Sequence, residues 1–141
     1  MDKAEANAAL GQVALLVVTL AHRMGVTFAR HRLVPMGSFS RVAPADDPKN
    51  FLELHFTGRM FAASRTNAAL RALVVCVAEL GEHAQAADRS FWWPYPITHG
   101  GERIADLHVA VGSKDAAWTR AMKCLLTNLK WLAAWAYKAD A

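Results

Sequence analysis

With 141 residues the chain has the length of one domain, and a domain of that size buries roughly two-thirds of the surface its unfolded form exposes. Its composition is 54% hydrophobic and 20% charged, which supports a packed core and excludes a disordered chain. The formal net charge of +4 is basic but too modest to name a partner by itself.

Cys76 and Cys124 sit inside helical patterns and have no CxxC spacing, which predicts reduced, buried thiols in a cytoplasmic protein. Asp2, Lys3 and Glu5 open the chain and no cleavage-like site follows, so no signal peptide is expected. The apolar run from Ala8 to Ala21 contains Gly11 and Gln12 and falls short of the roughly 20 residues that span a bilayer. The expectation is a soluble protein, or one that lies on a membrane surface.

In chain order, Ala4 to Met24 reads as a helix with Leu10, Val13, Val17, Leu20 and Met24 on one face and Gln12, Thr19 and Arg23 on the polar side. Gly25 is its C-cap. Two strands, Val26 to Val34 and Ser38 to Val42, are expected around a Pro35-Met36-Gly37 turn, followed by a surface loop from Ala43 to Asn50. Phe51 to Phe56 alternates as a strand, with Leu52, Leu54 and Phe56 inward and Glu53 and His55 outward.

A connection carrying Gly58, Arg59, Met60 and Phe61 leads to a second helix, Thr66 to Ala87. Its core face is Leu70, Leu73, Val74, Val77 and Leu80, with Glu79 and Glu82 towards the polar side. Phe91 to Ile97 is an aromatic strand that Pro94 and Pro96 push to a sheet edge. His99-Gly100-Gly101 turns the chain into a last strand, Ile104 to Val111, with Leu107, Val109 and Val111 inward.

The final helix, Gly112 to Lys138, has Ser113 as N-cap and Asp115 in its first turn. Trp118, Met122, Leu125, Leu129, Leu132 and Ala136 form one apolar face, and Asn128, Trp131 and Trp135 a neighbouring one. An arc that wide is buried on more than one side or meets a partner.

The fold class expected is therefore α+β: repeated units of antiparallel β-sheet plus helix, with three helices and about five to six strands in a single domain over 1–141. The first helix has no strands before it, so the domain is expected to be truncated at its N-terminus.

Catalytic patterns are sparse. His22, His31, His55, His83, His99 and His108 have no metal-ligand spacing, so neither metal nor cofactor is expected. No nucleophile-elbow, phosphate-loop or dinucleotide-binding pattern occurs. A thiol-dependent hydrolase using Cys76 or Cys124 with a histidine stays open, but thiols beside apolar neighbours are normally inert.

Between Glu5 and Asp46 no acidic residue occurs, while Arg23, Arg30, Arg32 and Arg41 fall there. That stretch is either a patch for an anionic surface, lipid or nucleic acid, or an ordinary solvated edge. Met60 and Phe61, flanked by Arg59 and Arg65, form an apolar tip among cations, the pattern with which a peripheral protein touches an anionic bilayer. Equally, such a loop tucks its Phe into its own core.

Two motifs carry a resemblance. Trp118-Thr119-Arg120-Ala121, Leu126-Thr127-Asn128-Leu129-Lys130-Trp131 and Ala134-Trp135 are similar to the last helix of the Beclin family. Asn7-Ala8-Ala9, Gly11-Gln12, Leu15-Leu16, Met24-Gly25, Phe28 and Arg32-Leu33-Val34-Pro35-Met36-Gly37-Ser38 resemble the start of that family's C-terminal conserved domain. Weaker agreement includes Cys76-Val77 and Pro94-Tyr95, so the resemblance covers nearly the whole chain.

The resemblance implies a domain of sheet-and-helix repeats lacking its first strands and the coiled coil. It implies a non-catalytic subunit of a class III phosphatidylinositol 3-kinase complex, acting in autophagy and in endosomal and vacuolar sorting. Expected partners are the other subunits of that complex and an anionic membrane surface, with no nucleic acid. The expected location is cytoplasmic, peripheral to endosomal or autophagosomal membranes. The membrane-binding residues would be Arg59, Met60, Phe61 and Arg65, although the family's loop carries consecutive aromatics where this chain has only Phe61.

Overall fold

A computed structural model describes residues 3–56, 63–110 and 115–139. Three long helices carry the fold: α1 (Lys3–Met24), α2 (Ala63–Ala87) and α3 (Asp115–Ala139). Between α1 and α2 lies a three-stranded antiparallel sheet, β1 (His31–Val34), β2 (Arg41–Pro44) and β3 (Leu52–Glu53). Between α2 and α3 lies a second, β4 (Ile97–Thr98), β5 (Arg103–Ile104) and β6 (Leu107–His108). Each sheet is a simple meander followed by a helix, so the α+β repeat expected from the sequence is present.

The helices meet on their predicted faces. Val17 and Leu20 of α1, Leu70, Leu73, Val74, Val77 and Leu80 of α2, and Leu129 and Leu132 of α3 are all fully buried in one core with Val42, Leu54 and Ile104 from the sheet segments. By length and mean hydropathy (1.5), Ala4–Met24 is long and apolar enough to cross a membrane, contrary to the estimate from its shorter uninterrupted run. In this fold the apolar residues Leu10, Val13, Ala14, Val17 and Leu20 belong to the core. Gly25, at φ +69°, closes α1: its own N–H reaches the His22 carbonyl and the Val26 N–H the Ala21 carbonyl, the paired bonds of a Schellman cap.

The strands are shorter than the sequence suggests. β1 starts at His31, not Val26, and β2 starts at Arg41, not Ser38, and runs on through Ala43 and Pro44, where a loop is expected; Ala43 is buried. The register pairs Arg41 with Val34 and with Glu53, and Arg32 with Ala43. Residues paired across antiparallel strands share a face, so Arg32, Arg41 and Glu53 lie opposite the core residues Leu33, Val42 and Leu52. His55 is buried, against expectation, because the strand ends at Glu53 and the chain bends. Its ring meets Phe39 edge-on at 5.4 Å.

The second sheet differs more. Residues 91–96 form no strand, since Pro94 and Pro96 offer no N–H to a ladder. The expected strand from Ile104 to Val111 is broken after Ile104 by a two-residue turn, Ala105-Asp106, both at positive φ (49° and 64°), which returns Leu107 to pair with Ile104. Ser113, expected as N-cap, and Val111 lie outside the described residues.

Glu79 is not simply on a polar face. Its Oε1 accepts the Ala29 N–H at 2.9 Å, which ties the approach to β1 onto α2. Its Oε2 and the Nδ1 of His31 are buried without hydrogen-bond partners. Burial, followed by the positive fields of Arg30 and Arg71, holds His31 below its ordinary pKa of 6.5 against the opposing pull of Glu79.

Two measurements test this packing. A Cβ on Gly11 would overlap the Gly37 carbonyl oxygen, so Gly11→Ala should lower unfolding free energy by about 1–3 kcal/mol in denaturant titration. Because the folded state binds the His31 proton more weakly than the unfolded state, stability should fall as pH drops below 6.5. Thermal melts between neutral and mildly acidic pH should show that slope, and His31→Gln should flatten it.

Candidate docking surface

Of the four residues expected at a membrane-contacting loop, Arg59, Met60 and Phe61 lie outside the described residues. Arg65 lies in the first turn of α2, is exposed, and donates to the Phe51 carbonyl at 3.4 Å through its guanidinium. The Arg41 guanidinium also approaches Phe51, 5.2 Å from the ring centroid. The fold thus brings together two cations that are distant in sequence, around a Phe that is itself 37% exposed.

Two other arginines of the acid-free stretch make contacts of their own. Arg23 ends α1 with its guanidinium 3.8 Å above the Tyr137 ring of α3. Arg32 turns back to the carbonyls of Phe28 and His31. Glu53, paired with Arg41 across β2 and β3, places a carboxylate among these cations and lies 3.7 Å from His55 Nε2.

A larger exposed surface forms around the C-terminal half of α3, and one side chain sets it. Asn128 is fully buried, its Oδ1 accepting the Tyr95 N–H at 3.0 Å and its Nδ2 donating to the Tyr95 carbonyl at 2.8 Å. The amide does for Tyr95 what a neighbouring strand would do. Held in this way, the irregular 91–96 segment packs Phe91 edge-on against Trp93 (5.2 Å) and Trp135 (5.7 Å). Trp93 lies so close to α2 that a Cβ on Gly81 would overlap its indole.

Trp92, left facing solvent, is 69% exposed. Beyond Phe91 opens a cleft of about 730 Å³, walled by Asp88, Phe91, Trp131, Trp135 and Lys138. Asp88 accepts the Ser90 hydroxyl at 2.6 Å and the Trp135 indole N–H at 3.0 Å. The Ser90 hydroxyl first, and then Trp135, hold its carboxyl below the usual carboxylate range.

Among the described residues the surface presents aromatic and cationic side chains and no assembled reactive set. Cys76 is buried in α2, and desolvation pushes its thiol up to about 12, so it supplies no thiolate near neutrality. Cys124 is half-buried on α3. Among the described residues no three of His, Cys, Asp and Glu stand close enough to hold a metal.

Comparison with known proteins gives one consistent result. The model of the Apg6 BARA domain matches residues 1–138. The chain is 36% identical to Beclin-1 of Xenopus laevis over 141 aligned residues, which cover 93% of this chain and 32% of that protein. It is 34% identical to the Beclin-1-like protein of Drosophila melanogaster, covering 96% of this chain and 33% of that one, and 30% identical to human Beclin-2, covering 93% and 33%. The chain therefore spans about a third of the length of these relatives.

The Asn128 amide yields a specific expectation. Asn128→Asp preserves its shape but turns a donor into an oxygen facing the Tyr95 carbonyl, so it should cost about 1–3 kcal/mol in equilibrium unfolding. Asn128→Ala should cost at least as much, and both should raise acrylamide quenching of tryptophan emission as Trp93 and Trp135 become accessible.

Proposed function

The chain belongs to the Beclin family, and on that premise we propose that it serves as a non-catalytic scaffold within a class III phosphatidylinositol 3-kinase complex, in autophagy and in endosomal and vacuolar sorting. The match of one family model to residues 1–138 carries this reading. The chain acts by recruitment and orientation: it docks to kinase subunits and to an anionic membrane, in the cytoplasm at the periphery of endosomal or autophagosomal membranes.

Several features support that role. Both motifs that relate the chain to the family have structural work at their centre. Gly11 and Gly37 meet backbone to backbone, and Asn128 clasps Tyr95. The Cys76 thiol, at about 12, disfavours a thiol hydrolase built on it. At the membrane, Arg59, Met60, Phe61 and Arg65 would make the contact, with Arg41 and Phe51 beside Arg65 extending it.

Tagged residues 1–141 expressed in cells should retrieve phosphatidylinositol 3-kinase activity above a tag-only control. An eluate with neither that activity nor kinase subunits would sink the scaffold reading. Phe61→Asp should weaken binding to anionic vesicles about tenfold or more, since one Phe contributes roughly 1.5–3 kcal/mol when buried.

A further inference from the structure

From Ala116 to Lys138 α3 contains four cations and no carboxylate. Arg120, Lys123, Lys130 and Lys138 are all exposed, and none forms an ion pair with a described residue. At 3.6 residues per turn these four fall within an arc of about 80°. Trp131, 55% exposed, borders the arc on one side; Leu126, 38% exposed, and Tyr137, 54% exposed, border it on the other. The opposite side of the helix, Ala121, Leu125, Asn128, Leu129, Leu132 and Ala136, is buried in the core. The helix is therefore anchored from Ala121 to Ala136, and its outer face is a basic strip edged by aromatic and aliphatic side chains.

We propose that this outer face of α3 is a second membrane contact, lying flat on an anionic bilayer with Lys123 and Lys130 at the headgroups and Trp131 and Tyr137 at the interface. The proposal deepens the membrane-docking reading and rests on it, but it places the contact on a different element from the 59–65 loop.

Three observations favour lipid over an acidic protein or a nucleic acid. Three of the four cations are lysines, a residue type depleted in the buried centres of protein interfaces and favoured beside anionic headgroups. Lysine stems also lie along apolar surface while their ammonium groups stay in water. The flanking residues are Trp and Tyr, which prefer the headgroup level, where one end of the ring is apolar and the other wet. A 25-residue helix is about 37 Å long, a flat strip that suits a planar surface better than the groove of a duplex.

Two neighbouring charges border the strip, one adding to it and one opposing it. Arg23 stacks on Tyr137 and adds a cation at that edge. Asp88, the carboxylate across the cleft from Lys138, already accepts hydrogen bonds from Ser90 and Trp135.

The test is co-sedimentation of the 141-residue chain with phosphatidylcholine vesicles, with and without phosphatidylserine. The native chain should partition onto the anionic vesicles. Neutralising Lys123 and Lys130 together (Lys123→Gln with Lys130→Gln) should weaken that partitioning about 25-fold, at roughly fivefold for each lysine near the surface. Trp131→Ser should weaken it about tenfold. Circular dichroism and melting temperature should match the native chain, because these side chains face solvent.

Variants that bind as well as the native chain, or native binding indifferent to phosphatidylserine, would overturn the proposal. Loss of binding only in Phe61→Asp would assign the contact to the loop and overturn the role of α3 while keeping the membrane reading. No vesicle binding by the native chain, with lysine-dependent capture on duplex DNA or an acidic peptide, would overturn both. The assay contains no kinase, so failure to retrieve the kinase leaves its outcome unaffected.

Discussion

A single buried amide governs how the second half of this molecule is assembled. Asn128 is fully shielded from solvent, where an unpaired donor or acceptor would be costly, and it faces the two backbone groups of Tyr95 with complementary ones. Fixing Tyr95 fixes the 91–96 segment, which has no ladder of its own. That placement carries Trp93 against Gly81 and Phe91 against Trp135. It also decides which way α3 is turned: the Asn128 side must face inward, so the basic strip on the far side must face out.

The first half uses the same device. The side chain of Asn7 in α1 accepts the Phe56 N–H through Oδ1 at 2.6 Å and donates to the Phe56 carbonyl through Nδ2 at 3.0 Å. Phe56 follows β3 as Tyr95 precedes β4. In both halves a helix asparagine stands in for a missing strand at the margin of a sheet too small to hold its own ends. The sheets amount to meanders of two- and four-residue strands, and such strands are marginal alone. The helices and these two clasps carry much of what longer ladders would otherwise carry.

This division explains what could be read from the sequence. The three helices announce themselves through a 3.6-residue period sustained over six or seven turns, and most residues of their expected core faces are buried, with Met24, Trp118 and Met122 only partly so. Strand bounds were not, because the partners that end them are side chains distant in sequence. His55 reads as outward from alternation, yet the bend after Glu53 buries it. Ala105-Asp106 gives no Gly or Asn signal for the turn it makes. The aromatic run at 91–93 has high strand propensity, which two prolines override. At the surface, the cationic loop and the acid-free stretch were visible as composition. That Arg41 and Arg65 would both reach Phe51, while Arg23 and Arg32 make other contacts, depends on a tertiary arrangement that no local pattern encodes.

The asparagine clasps also make the molecule legible to hydrogen exchange. The Phe56 and Tyr95 amides lie in segments without regular secondary structure, where exchange is ordinarily fast, yet each is bonded to a side chain of a core helix. Two protected amides should therefore appear in irregular backbone, each reporting a different event. The Phe56 amide opens when α1 parts from the first sheet, and the Tyr95 amide opens when the aromatic segment lifts from α3. Together they form a pair of natural probes that separate the undocking of the two halves, without any label and without altering a residue.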